Sequence, residues 1–91
     1  KRLKVTVTQE DIDKGQARCE TCPIARAIQR ALAPHPSTVY VRGRSADVID
    51  PVNGHCTYAL SKPAQRFIRR FDNLGREAVK PATFVLTDPW S

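Results

Sequence analysis

The sequence predicts an α+β fold, a two-layer sandwich in which a mainly antiparallel sheet of four or five strands is covered on one face by two amphipathic helices plus one short helix. Three observations predict it. Short segments such as Leu3-Lys4-Val5-Thr6-Val7-Thr8 alternate between apolar and polar side chains, the period of a half-buried strand. Two longer segments, one after Cys22 and one after Ser61, collect apolar residues on one side at helical spacing. The two kinds of segment are interleaved without a clear βαβ unit, which points to an antiparallel sheet with helices on one face. With 91 residues the chain reads as one domain spanning 1–91, large enough for a single small core.

In the first strand Leu3, Val5 and Val7 share one face, and Lys4, Thr6 and Thr8 the other. Thr8 then caps a short helix whose first turn, Gln9-Glu10-Asp11, holds acids where the helix dipole favours them, and Gly15 ends it. A second helix begins at Cys22-Pro23, because proline at the first helical position loses no hydrogen bond. Ile24, Ala27, Ile28, Ala31 and Leu32 gather on its apolar side, with Arg26 and Arg30 together opposite. Pro34-His35-Pro36 is a rigid connector into the alternating strand Thr38-Val39-Tyr40-Val41-Arg42. Gly43-Arg44-Ser45 is a turn, and residues 46–50 form a strand. Asp50-Pro51-Val52-Asn53-Gly54 then turns the chain into a strand over 55–60, completing a hairpin. Ser61-Lys62-Pro63 opens the third helix, which places Ala64, Phe67, Ile68 and Phe71 in a narrow arc and Lys62, Arg66, Arg69 and Arg70 on the reverse. Gly75 terminates it, and Pro81 to Leu86 supplies the last strand, leaving Trp90 in a tail that either frays or docks its indole.

Charge is unevenly distributed. Fifteen Lys and Arg against nine Asp and Glu give a net charge of +6, and ten of the fifteen are arginines. Residues 10–20 carry Glu10, Asp11, Asp13 and Glu20, while residues 61–80 carry Lys62, Arg66, Arg69, Arg70, Arg76 and Lys80 against only Asp72 and Glu77. Such asymmetry suits an anionic partner, either nucleic acid or an acidic protein surface. No segment approaches the roughly 20 apolar residues of a membrane span, and none reads as a secretory signal. Three cysteines leave a disulfide framework unbalanced, so reduced thiols and a cytosolic setting are expected.

Cys19-x-x-Cys22 has the spacing of a zinc knuckle, and Cys56 with His35 or His55 could complete a tetrahedral set. His55 and Cys56 are neighbours on a strand and point to opposite faces, so at most one could join. The same pair at a helix start suits a dithiol redox site, although Cys22 rather than Cys19 stands at the helix mouth. The simpler reading makes Cys22 a helix cap, Cys19 a fastener of the preceding loop, and Cys56 a core residue. Two isolated histidines, no glycine-framed serine and no paired carboxylates give no hydrolytic constellation, and no phosphate loop is present, so neither enzymatic activity nor a cofactor is expected.

The basic faces remain. Lys62, Arg66, Arg69 and Arg70 on the third helix, joined by Arg26 and Arg30 if the two helices lie side by side, are the expected binding residues, with Lys4, Tyr40 and Arg42 on the outer sheet face. A solvated helix face without a partner is the plainer alternative. Three strands separate the second and third helices, which rules against a helix-turn-helix.

The stretches Val7 to Gly15 (VTQEDIDKG), Cys19 to Ile28 (CETCPIARAI), Tyr58 to Asp72 (YALSKPAQRFIRRFD) and Val79 to Leu86 (VKPATFVL) together resemble small uncharacterised accessory proteins of tailed phages and prophages. The resemblance implies a small protein made during infection that acts in the host cytoplasm on a host protein or on nucleic acid. It carries no catalytic residue with it. The resemblance also implies variation among relatives over the stretch matching 34–53, where Arg42 and Arg44 fall.

Overall fold

The computed structural model describes residues 2–33, 38–51 and 54–87. The connector with His35, the Val52-Asn53 part of the turn and the tail with Trp90 lie outside them. Strands β1 (Arg2–Val7), β2 (Thr38–Val41), β3 (Ser45–Asp50), β4 (Gly54–Ala59) and β5 (Ala82–Thr87) form one sheet in the order β1-β5-β4-β3-β2, every neighbouring pair antiparallel. Helices α1 (Gln9–Lys14), α2 (Pro23–Ala31) and α3 (Lys62–Leu74) complete the α+β fold, with a 3-10 turn at Arg76–Ala78.

The local signals act as their chemistry dictates. The Thr8 hydroxyl accepts from Asp11 N at 3.2 Å and Asp11 Oδ2 accepts from Thr8 N at 2.9 Å, a reciprocal capping box that starts α1. Cys22 caps α2 through its sulfur, which accepts from Ala25 N at 3.4 Å, and Ser61 caps α3. Gly75 closes α3 at φ 90°, a conformation that side chains with a Cβ resist. Gly15 is required for a different reason: a Cβ there would stand 2.6 Å from the Asp11 carbonyl oxygen and 2.8 Å from the Pro23 ring, so its absence lets α1 turn tightly onto the start of α2.

β1 and β2 are the two edges of the sheet, yet α2 packs against both, so the sheet curls around this helix. Ile24, Ala25, Ala27 and Ile28 of α2 are sealed against Val5 and Val7 of β1 and Val39 and Val41 of β2. Among the described residues β4 and β5 meet at Ala59↔Thr87, the point that joins the β1–β5 pair to the β4–β3–β2 meander. α3 closes the remaining gap with Ala64, Phe67 and Phe71, and the Phe67 ring meets Phe84 of β5 edge to face at 5.5 Å between centroids. The outer sheet face carries Thr6 and Thr83, joined hydroxyl to hydroxyl at 3.1 Å, together with exposed Val85 and Ile49.

One acid departs from expectation. Asp11 is not a solvated dipole partner but is fully buried, because α1 folds onto α2 and brings the carboxylate to two arginines.

Candidate anion-binding surface

α3 turns its aromatic side inward, and that orientation exposes the opposite side. Lys62, Arg66, Arg69 and Arg70 line this outer face at spacings that place them on adjacent turns, and Asn73 continues the stripe. Arg66, Arg69, Arg70, Asn73 and Leu74 border a shallow hollow of about 460 Å³. Among the described residues, none of these four cations has a carboxylate within ion-pairing distance. Arg70 is steadied by the neutral Ala78 carbonyl, to which its Nε donates at 3.2 Å.

A fifth cation joins them from a distant part of the chain. The Arg44 carbonyl accepts from Leu60 N at 3.0 Å, which holds the β2–β3 turn beside the start of α3. Arg44 and Arg69 therefore border one cleft, about 410 Å³, together with Gly43, Gln65, Asp72 and Asn73. Nothing local to Gly43-Arg44-Ser45 announces this; it follows from the hairpin register, and sequence reasoning did not place Arg44 in the site. Within the cleft Asp72 has no ion-pair or hydrogen-bond partner among the described residues, and burial pushes its carboxyl above the ordinary value.

Arg26 and Arg30 do not extend this surface. Arg30 clamps Asp11, Nη1 donating to Oδ1 and Nη2 to Oδ2, both at 2.7 Å, while Nη2 also donates to the Thr6 carbonyl at 2.6 Å. Arg26 places Nε 3.5 Å from Asp11 Oδ1 and Nη2 3.9 Å from Glu10 Oε1. The expectation that Arg26 and Arg30 join the surface if the two helices lie side by side is corrected: the acids of α1 pair with them and make them struts between α1, α2 and β1. Burial would raise the Asp11 carboxyl, but the hydrogen bond from Arg30 and those from Thr8 outweigh it and hold the group below its ordinary range.

On the outer sheet face Arg42 is likewise engaged. Its Nε donates to Asp47 Oδ2 at 3.2 Å, His55 Nε2 lies 3.4 Å from Oδ1, and the Thr57 hydroxyl donates to Oδ1 at 2.8 Å. These contacts, the Thr57 bond foremost, lower the Asp47 carboxyl.

The cysteines do not converge. Cys22 is buried as the α2 cap, and burial pushes its thiol up to about 11, the opposite of an activated redox cysteine. Cys19 is exposed, and its carbonyl accepts from Val41 N at 2.8 Å, fastening the loop to the β2 edge. Cys56 sits on β4 opposite Val48, two strands in from that edge. Among the described residues no three Cys, His, Asp or Glu side chains gather to hold a metal, so Cys19, Cys22 and Cys56 form no zinc set there; His35 lies outside those residues. No described helix is long and apolar enough to cross a membrane.

Comparison with protein-family models, with curated proteins and with solved structures gives no significant match.

Proposed function

We propose that this chain is a non-enzymatic, phage-encoded accessory protein that binds nucleic acid through the outer face of α3 and Arg44, acting in the host cytoplasm. One observation carries the reading. Arg26, Arg30 and Arg42 are neutralised by the chain's own carboxylates, whereas among the described residues Arg66, Arg69, Arg70 and Arg44 have no carboxylate partner and border two adjoining hollows, with Lys62, equally without one, a turn away on the same helix. Unpaired guanidinium groups in a row are suited to phosphate oxygens, which they can grip through paired N–H donors.

The apolar content of the surface favours nucleic acid over a protein partner. A stable protein interface is built around buried aromatic or aliphatic anchors, and the only large exposed apolar side chain that α3 offers, among the described residues, is Leu74. Phosphate binding needs no such anchor. The resemblance to phage accessory proteins supports the setting in an infected cell.

The test is charge reversal. Arg66→Glu combined with Arg69→Glu is expected to weaken binding of a labelled oligonucleotide by at least about tenfold, alike for all sequences, with an unchanged circular dichroism spectrum. Affinity unaffected by the double variant contradicts the assignment, as does capture of a host protein that survives nuclease treatment and is lost in Leu74→Ser.

A further inference from the structure

We propose that the cleft between α3 and the Gly43–Arg44 turn receives one unstacked nucleotide of a single strand, Asp72 accepting a hydrogen bond from the amino group of its base. This rests on the nucleic-acid reading above and adds base preference to it.

The cleft bordered by Arg44 and Arg69 adjoins a second hollow of about 220 Å³ bordered by Arg18 and Arg42, and the two share Gly43, Ile68 and Asp72. A single carboxylate thus stands between guanidinium groups on either side, yet among the described residues none of the four arginines bridges to it, Arg42 being paired with Asp47 instead. The lining selects its ligand by exclusion. A bare anion would meet the charge of Asp72, and a cation would meet the guanidinium groups of Arg18, Arg44 and Arg69. A ligand that carries phosphates at its margin and a neutral hydrogen-bond donor at its centre satisfies both, and a nucleotide within a strand has this form.

Ile68 gives the cleft an apolar patch against which a flat ring can lie, and guanidinium planes are themselves stacking surfaces for bases. The space beside Gly43 is open, since a Cβ added there would meet nothing within 4 Å. The recess between a helix and a turn admits a base swung out of its stack and excludes one held in a duplex.

An ionised carboxylate only accepts hydrogen bonds. It therefore prefers a base that presents an amino group, as cytosine does at N4, and disfavours thymine, whose N3–H is flanked by two carbonyl oxygens.

The experiment measures fluorescence polarisation of two equally labelled single strands of about a dozen nucleotides, oligodeoxycytidylate and oligothymidylate, at about pH 7.5. The wild-type chain is expected to bind the cytidylate about tenfold more tightly. Asp72→Asn should bring the ratio close to one without weakening thymidylate binding, because a negative charge has been removed. Arg66→Glu should weaken both strands while preserving the ratio. Equal wild-type affinities, or a preference that persists in Asp72→Asn, overturn the base-reading assignment while thymidylate binding and its dependence on Arg66 leave the phosphate-binding role intact. Binding to neither strand overturns both.

Discussion

Arg30 and Asp11 form a two-point clamp: both terminal nitrogens of the guanidinium meet both carboxylate oxygens at 2.7 Å, and Nη2 also reaches the Thr6 carbonyl. One side chain from α2 thereby ties down α1 and the end of β1. The carboxylate is fully buried while the guanidinium is about half exposed, with a relative side-chain exposure of 49%, so the partners are not equivalent. Removing the arginine leaves a buried charge short of its best donor, an asymmetry that makes such deletions costly. Arg30→Met is expected to destabilise the fold by about 2–3 kcal/mol, discounted from the fully buried case for the exposure of Arg30. Urea unfolding measures it, and a loss below about 0.5 kcal/mol would show the clamp to be ornamental.

The same clamp sets the response to acid. Asp11 and Asp47 both titrate below the ordinary carboxyl value of 3.8 in the folded chain. Their contributions are therefore present above about pH 4 and are lost as pH falls through the folded-state values. Asp72, raised by burial, acts in the opposite sense, since its ionisation with rising pH opposes folding. Stability measured against pH should fall steeply below about pH 4 in the wild type and less steeply in Asp11→Asn, which also starts lower at neutral pH. Parallel curves for the two proteins would contradict the role assigned to Asp11.

Two glycines with ordinary backbone conformations should respond in opposite ways to the same methyl group. Gly15→Ala forces a Cβ to within 2.6 Å of the Asp11 carbonyl oxygen and 2.8 Å of the Pro23 ring, so a loss of about 1–3 kcal/mol is expected. Gly43→Ala meets nothing within 4 Å and should be neutral or stabilising by a few tenths of a kcal/mol. Thermal unfolding of the pair measures the contrast, and an equal effect at both positions would refute it.

The thiols should separate kinetically. Cys19 is exposed and Cys22 is both buried and pushed up to about 11, so at about pH 8 a thiol reagent should modify Cys19 rapidly and Cys22 only on unfolding. Cys22→Ser preserves a capping oxygen and should keep the fold near wild-type stability, whereas Cys22→Ala removes the cap at a cost of about 1 kcal/mol. Prompt modification of Cys22 in the native protein would contradict this account of the loop.

Much of the fold was legible because its signals are local. Thr8, Cys22-Pro23, Ser61 and the terminal glycines mark helix ends by their own capping chemistry, and β1, β2 and β5 alternate along the chain. The strand order was not legible: β1 pairs with β5 across 77 residues, as the Thr6–Thr83 contact shows, and no local feature encodes that distance. The 3-10 turn at Arg76–Ala78 follows Gly75 without a side-chain cap to announce it. For the site, the outer face of α3 could be read from helical period alone. The fate of Arg26 and Arg30 could not, because an acid in a first helical turn is explained by the dipole whether or not a second helix covers it. Arg44 was missed for a related reason, since a turn residue meets α3 only once the hairpin is in register.

The proposed role of the cations without carboxylate partners on α3 and at Arg44 is to hold phosphates. The most direct measurement is the dependence of oligonucleotide affinity on salt. Each phosphate neutralised contributes roughly −0.7 to −0.9 to the slope of log affinity against log salt. Four to five contacts predict a slope of about −3 to −4.5, reduced by about 1 for each of Arg66 and Arg69 replaced by alanine. No binding at low salt, or a slope near zero, would contradict the account.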